Sequence, residues 1–311
     1  MRAIVVRSFG ATPELAEVPT PEPGAGAVRV QLEAAGVNPF DKKMAGGILE
    51  GKLPHDFPMI LGVDGAGTVA SVGPGVTKFG VGDRVVGKFL VPPAGHGSFA
   101  EYSVLPEDAT LVPIPDQVPT VAAAALPTAG ITAQDIVDAT KIEPDQKVLI
   151  VGATGGVGSF LVQLANIAGA HVIATARVAV ADQMTRLGAA ETIDYTRGPV
   201  VEQVAAAHPD GVDALFDLVS PPDVLTELTA LVHDGGTVYS TIWSADPDAL
   251  RDRGIKGGNI ESSGRAPELT RLLARVAAGD VVVPIDATVP LEQGPSVIGA
   301  LGARGKTVLA I

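Results

Sequence analysis

The sequence predicts an α/β chain in two parts: a β-rich first part, then a doubly wound parallel sheet with helices on both faces. Three observations predict it. Residues 147–165 read KVLIVGATGGVGSFLVQLA, an apolar run that breaks into a glycine cluster and then into a helical pattern. From residue 148 to 243, strand-like and helix-like segments alternate, as a parallel sheet with helical crossovers requires. Residues 1–119 carry dense proline at 13–23, 92–93 and 106–119 and show no long helical pattern.

Composition bounds what such a chain does. At 311 residues it exceeds a typical single core, which implies two domains. Hydrophobic residues make up 46% and charged residues 18%, so packed cores are affordable throughout. The formal net charge of −13 repels phosphate backbones and anionic membrane surfaces. Aromatic content of 4% offers few platforms for base stacking, so no nucleic-acid partner is expected. With no cysteine, neither a disulfide nor a thiolate metal site forms. The opening MRAIVVRSFG holds a short apolar run before Arg7, too short for a secretory signal. Two longer stretches with little charge, 117–134 and 148–176, are too rich in small, proline or amide residues to read as membrane spans. A cytoplasmic location is expected, with no membrane partner.

The elements follow in order. Val28 to Leu32 alternates and predicts a strand; 62–72 and 83–86 predict two more, divided by turns at Gly73-Pro-Gly75 and Gly80-Val-Gly82. Residues 121–138 predict helices around Pro127-Thr-Ala-Gly130. Next come strand 148–151, helix 156–168, strand 171–176, a helix near 180–187, strand 191–195 and a helix near 199–206. Strand 214–219, helix 222–232 and strand 237–243 complete the alternation. Most of these strands are nearly continuous Val, Ile, Leu and Ala runs, as a sheet covered on both faces needs. Helix 267–278 aligns Leu269, Leu272, Leu273 and Val276 on one face, and 306–311 reads as a closing strand.

The glycine cluster carries the chemistry. Strand, glycine turn and helix together place backbone N–H groups where a pyrophosphate can sit. Gly152, Ala153, Thr154, Gly155, Gly156 and Val157 are therefore the candidate cofactor-binding turn, with Gly158 allowing the helix close to the strand. The first fingerprint glycine is Ala153. The second strand ends in Ala174-Thr-Ala-Arg177, with no carboxylate for ribose hydroxyls. A guanidinium fork suits a 2′-phosphate, so NADPH is expected over NADH; a solvated surface arginine is the alternative. Tyr195, at the end of the third strand, either packs near the adenosine end or is only half-buried packing.

These motifs belong to a longer pattern. Its markers are Ala35-Gly-Val-Asn-Pro-Phe-Asp41, Leu61-Gly-Val-Asp-Gly-Ala-Gly-Thr-Val69, Gly82-Asp-Arg-Val85 and Gly97-Ser-Phe-Ala-Glu-Tyr102. Leu126-Pro-Thr-Ala-Gly-Ile-Thr132, the Gly152–Gly158 turn and Arg304-Gly-Lys-Thr-Val-Leu309 continue it. In this order and spacing the chain resembles the medium-chain dehydrogenase/reductase superfamily, and within it the zinc-free quinone oxidoreductase group. The resemblance implies a GroES-like β domain from residues 1–120 and 260–311, and a Rossmann NADPH-binding domain at 121–259. It also implies an active cleft between domains and a homodimer.

Further residue roles come with the resemblance. Where zinc-dependent relatives place metal ligands, this chain has Asn38, Val63-Asp64 and Thr128, so no metal is expected. In the quinone reductases an asparagine at the place of Asn38 lies near the nicotinamide and the substrate oxygen. Asn38 is thus expected to touch the cofactor and to donate to a carbonyl oxygen as it gains charge; an asparagine that only satisfies the turn before Pro39 is the alternative. Asp41 is expected to fix that loop. Some relatives carry a pocket tyrosine just beyond; here stand Lys42, Lys43 and Met44, leaving Lys43 as a candidate proton donor or a solvated lysine. Thr128 either touches the nicotinamide or caps its helix. Ser240 and Asn259, in the segments 240–243 and 258–260, are expected to flank the nicotinamide. The implied activity is hydride transfer from NADPH to a quinone or to an enone. The alternative is a crystallin-like, NADPH-binding protein without turnover.

Overall fold

The computed structural model describes residues 1–300, 302 and 304–311. It divides into two compact units, Met1–Ile131 with Gly264–Ile311, and Thr132–Ser263.

The first unit starts with β1 (Arg2–Val6), β2 (Glu14–Glu17), β3 (Ala27–Val37), α1 (Pro39–Ala45), β4 (His55–Ile60) and β5 (Asp64–Val72). It continues with β6 (Arg84–Lys88), β7 (Ala94–His96), β8 (Tyr102–Pro106), β9 (Leu111–Pro113), α2 (Thr120–Ala124) and α3 (Pro127–Thr140), which contains the join. The second unit holds β10 (Lys147–Val151), α4 (Gly156–Ile167), β11 (His171–Thr175), α5 (Val178–Arg186), β12 (Glu191–Ile193) and α6 (Val200–Ala207). Then come β13 (Val212–Asp217), α7 (Pro222–Thr229), β14 (Val232–Ser240), α8 (Pro247–Asp252) and β15 (Lys256–Asn259). The chain returns to the first unit through α9 (Ala266–Ala278), β16 (Ile285–Pro290), α10 (Gly294–Val297) and β17 (Lys306–Ala310).

In the first unit one sheet runs β16-β17-β3-β5-β6-β9, with β8 also on β3; a second runs β2-β1-β4-β7. The long strand β3 buries Val28, Val30 and Leu32 and exposes Gln31 and Glu33, the period-two alternation of a half-covered strand. Past Leu32 the pattern changes, and Ala34, Ala35 and Gly36 are all buried. The cause is α2, which packs on β3, β5 and β6. A Cβ on Gly36 would stand 2.4 Å from the Ala124 carbonyl oxygen, so this approach needs glycine. That packing holds α2 in the first unit, and the join falls at 131/132 rather than at the expected 120/121. The return join falls at 263/264, against an expected 259/260.

The second unit is a six-stranded, all-parallel sheet in the order β12-β11-β10-β13-β14-β15. Its core gathers Leu149, Ile173, Leu215, Val238 and their neighbours with Leu225, Leu228 and Leu250 of the covering helices. Strand order reverses between β10 and β13, the place where such sheets bind ligands at their carboxyl ends. Three expected strands end earlier than the apolar runs suggest, among them β14, which stops at Ser240 instead of 243. Strand β13 stops at Asp217 because its Oδ1 accepts the N–H groups of Val219 and Ser220 and turns the chain. Strand β12 stops at Ile193, where Asp194 accepts both donors of Thr196. Among the described residues no helix is long and apolar enough to cross a membrane.

Candidate functional site

In the first unit, four elements bring polar side chains together in the core. Antiparallel pairing sets Asp64 of β5 opposite Gly36 of β3, and Thr307 of β17 opposite Val37. Lys306 therefore arrives beside Asn38, the residue between β3 and α1. The Lys306 Nζ donates to Asn38 Oδ1 at 2.5 Å and to the Val37 carbonyl at 2.9 Å. The Asn38 Nδ2 donates to Asp64 Oδ2 at 2.9 Å and to the Gly36 carbonyl at 3.3 Å. From the start of α3, Thr128 donates its N–H to Asp64 Oδ2 at 2.9 Å and its hydroxyl to Asp64 Oδ1 at 2.6 Å. An amide thus stands between a buried ammonium and a buried carboxylate, and its orientation is set from both sides. Asn38 and Lys306 are each only 3% exposed.

Asp41 completes the cluster. Its Oδ2 accepts the Asn38 N–H at 2.7 Å and its Oδ1 accepts the Val63 N–H at 3.0 Å. The carboxylate closes a capping box on α1 and ties that helix to the strand carrying Asp64. Burial pushes the Asp41 carboxyl up to about 7, with the Asp64 charge adding to it, against the pull of the Asn38 N–H and of Lys306. Burial also pushes the Lys306 ammonium down, while Asp64 and Asp41 hold it up.

Two of these residues were not expected from sequence. Lys306 lay in a recognised marker but had no role, and Asp64 was read only as a non-ligand. Lys43, expected as a proton donor or as a solvated lysine, is not part of this cluster. Helix α1 buries Asp41, Met44 and Ala45, so its period turns Lys43 to solvent, outside the cluster.

The second unit places the other expected residues along the carboxyl ends of its strands. Gly152 has φ +84°, and its N–H donates to Thr175 Oγ1 at 3.0 Å. A Cβ on Gly158 would lie 2.4 Å from the Gly152 carbonyl oxygen, which lets only glycine bring α4 this close to the turn. Ala153 is buried, while Thr154, Gly155, Gly156 and Val157 are half-buried. Gly155 is the N-cap of α4 and no side chain caps the helix, so its first N–H groups face outward unpaired by side chains. This is the geometry that holds a diphosphate.

Arg177 and Tyr195, expected separately, come together. The Arg177 Nε donates to the Tyr195 hydroxyl at 2.8 Å, and both side chains are exposed. Ser240 and Asn259 act on the loop beyond β14. Ser240 Oγ accepts the N–H groups of Ile242 and Ser244, and Asn259 bonds both backbone groups of Ala245. Asp217, absent from the sequence expectations, lies between Val151 and Ser240 in register. It is buried, and its Oδ2 has no partner among the described residues.

With this geometry in place, comparison with known proteins is specific. Residues 24–116 match the alcohol dehydrogenase GroES-like domain family and 156–256 the zinc-binding dehydrogenase family. A chloroplastic quinone oxidoreductase of Triphysaria versicolor is 38% identical over 71% of this chain and 69% of its own length. The chain belongs to the medium-chain dehydrogenase/reductase superfamily. Within it, the chain fits the zinc-free quinone oxidoreductase group. An NADPH-dependent alkenal/one oxidoreductase of Arabidopsis thaliana is 30% identical over 84% of this chain and 67% of its own length. Other plant relatives named as quinone oxidoreductases are matched over 61% and 55% of their lengths. A solved NAD-dependent alcohol dehydrogenase superposes over 100% of both chains with TM-score 0.87 and 30% identity.

Membership makes this an oxidoreductase that joins a GroES-like domain to a Rossmann domain. The zinc of the superfamily's metal-dependent branch does not fit these residues. Asn38, Asp64 and Thr128 bond to one another, Lys306 adds a cation at the same place, and no thiolate is present. No group of three metal-ligating side chains occurs among the described residues.

Proposed function

We propose that this oxidoreductase is an NADPH-dependent reductase of quinones and other activated alkenes, working without metal. The observation that carries the cofactor reading is the carboxyl edge of the second unit: a glycine turn, an uncapped helix and an exposed Arg177–Tyr195 pair. Gly152, Ala153, Thr154, Gly155, Gly156 and Val157 would hold the diphosphate through backbone N–H groups, and Arg177 with Tyr195 the 2′-phosphate and adenosine end. Ser240 and Asn259 would support the nicotinamide side through the loop they fix. When bound, the dihydronicotinamide supplies the hydride for a quinone or for the β-carbon of an enone.

The chain's own contribution is orientation and electrostatics. Asn38 keeps its bond to Asp64 and exchanges its longer contact, 3.3 Å to the Gly36 carbonyl, for the oxygen that gains charge. Lys306 on Asn38 Oδ1 polarises that amide and makes its N–H a stronger donor. Thr128 holds Asp64 in place through its N–H and its hydroxyl. With Lys43 in solvent, water supplies the proton that completes the product. We further propose a cytoplasmic homodimer, by family resemblance.

The test is a steady-state panel of the purified protein with NADPH and NADH side by side, against a simple quinone and an enone. Oxidation of NADPH dependent on either acceptor is expected, with NADH slower. Absence of saturable NADPH binding in a fluorescence titration would sink the reading. Saturable binding with no turnover on any acceptor would instead favour a binding protein.

A further inference from the structure

Trp243 is the one tryptophan in the chain, and it sits where a buried residue would not. It is 63% exposed, its backbone lies in the left-handed region at φ +67°, and its indole makes no bond or ring contact among the described residues. A bulky residue in that region costs free energy, so the surroundings must impose it. They do. The Thr241 N–H donates to the Asp217 carbonyl, and the Ile242 and Ser244 N–H groups donate to Ser240 Oγ. Ser244 Oγ donates to the Ser220 carbonyl at 2.6 Å, and Asn259 clamps Ala245 through both amide atoms. A rigid turn therefore presents an exposed indole instead of letting it fold back.

The edge around it is graded. On the β11 and β12 side stand Arg177 and Tyr195, which carry charge and hydrogen-bonding groups. The glycine turn follows β10. On the β13 and β14 side stand Val219, 58% exposed against Gly152, and Trp243. The polar end suits phosphate, and the apolar end suits an uncharged flat group. A dinucleotide anchored by phosphate at Arg177 and on the glycine turn leaves its reactive ring toward β13 and β14. An acceptor must then lie flat against that ring to take a hydride.

We propose that Trp243 is a specificity-determining residue whose indole is the wall for the conjugated ring of the acceptor, so that cyclic quinones are favoured over open-chain enones. This rests on the reductase reading above. Stacking of a flat ring on an indole adds contact that an open-chain enone does not make.

Because Trp243 is alone, its emission reports on this site. The protein is saturated with NADP⁺, which cannot reduce the acceptor, and titrated with 1,4-naphthoquinone or but-3-en-2-one, with free N-acetyltryptophanamide as the absorption control. Saturable quenching by the quinone and none by the enone at equal concentration is expected. In steady state, Trp243→Leu should lower the ratio of kcat/KM for naphthoquinone to that for butenone by about tenfold, and Trp243→Phe should restore most of it. Quenching by NADP⁺ alone with no further effect of the quinone would overturn the proposal in favour of a cofactor contact. An unchanged ratio would overturn it too, as would emission that responds to dilution and not to quinone, which marks a second copy over the indole. If neither acceptor is reduced, the reductase reading fails, while the emission titration still decides the role of Trp243.

Discussion

In the first unit, Lys306, Asn38, Asp64, Thr128 and Asp41 form one hydrogen-bonded chain in the core, and three of them are ionisable. Along the carboxyl edge of the second unit the groups face the other way. Helix α4 has no side-chain cap, Asp217 Oδ2 has no partner among the described residues, and Arg177 with Tyr195 is exposed. A closed network of buried charges is held together by mutual compensation, so removing one member leaves the rest uncompensated. An open edge is already compatible with solvent, and changes there fall on ligand affinity. The contrast separates residues that bond mainly to one another from residues left open to solvent.

The largest expected effect breaks the closed region. Lys306→Met should cost about 3–5 kcal/mol, because two carboxylates and the Asn38 oxygen lose their buried cation. Thermal unfolding checks this, and a loss under about 1 kcal/mol would show the network to be slack.

Next comes pH. The folded protein keeps Asp41 protonated up to about 7, while the unfolded chain releases that proton near 3.8. Between these values the folded state binds more protons, so this group's contribution falls as pH rises. Wild type should lose stability relative to Asp41→Asn between about pH 4 and 7, by up to about 4 kcal/mol. Unfolding at pH 5 and pH 8 for both proteins reads the difference, and parallel curves would refute it.

Gly158→Ala acts where the open edge meets the core. Its Cβ would lie 2.4 Å from backbone, so α4 must shift away from the turn. A cost of about 1–3 kcal/mol is expected, with NADPH affinity weakened at least about tenfold. The smallest effect on stability belongs to Arg177→Asp, within about 0.5 kcal/mol. It should nonetheless lower the NADPH to NADH preference by about tenfold or more. An unchanged preference would leave Arg177 as a solvated charge.

The open edge was largely legible in the sequence. A glycine turn between an apolar run and an amphipathic helix, and the arginine ending the next strand, are local patterns over a few dozen residues. The closed cluster was only half legible. Asn38, Asp41 and Thr128 could be singled out, yet the amide's partners could not, and the lysine weighed for a role was Lys43, as a proton donor, not Lys306. Asp217 was hidden inside what reads as one apolar strand, since the turn it makes depends on its own side chain.

By itself the sequence determined the alternating strands and helices of the second unit, its parallel sheet and the turn that suits a diphosphate. These follow from local periodicity and from glycine's freedom of backbone. Only the tertiary structure decided which lysine reaches Asn38, because 268 residues separate Lys306 from it and the pairing of β17 with β3 alone closes that gap. It also decided that Trp243 stays outside, since the bonds that hold its turn come from Ser220, Ser240 and Asn259 on neighbouring strands and loops.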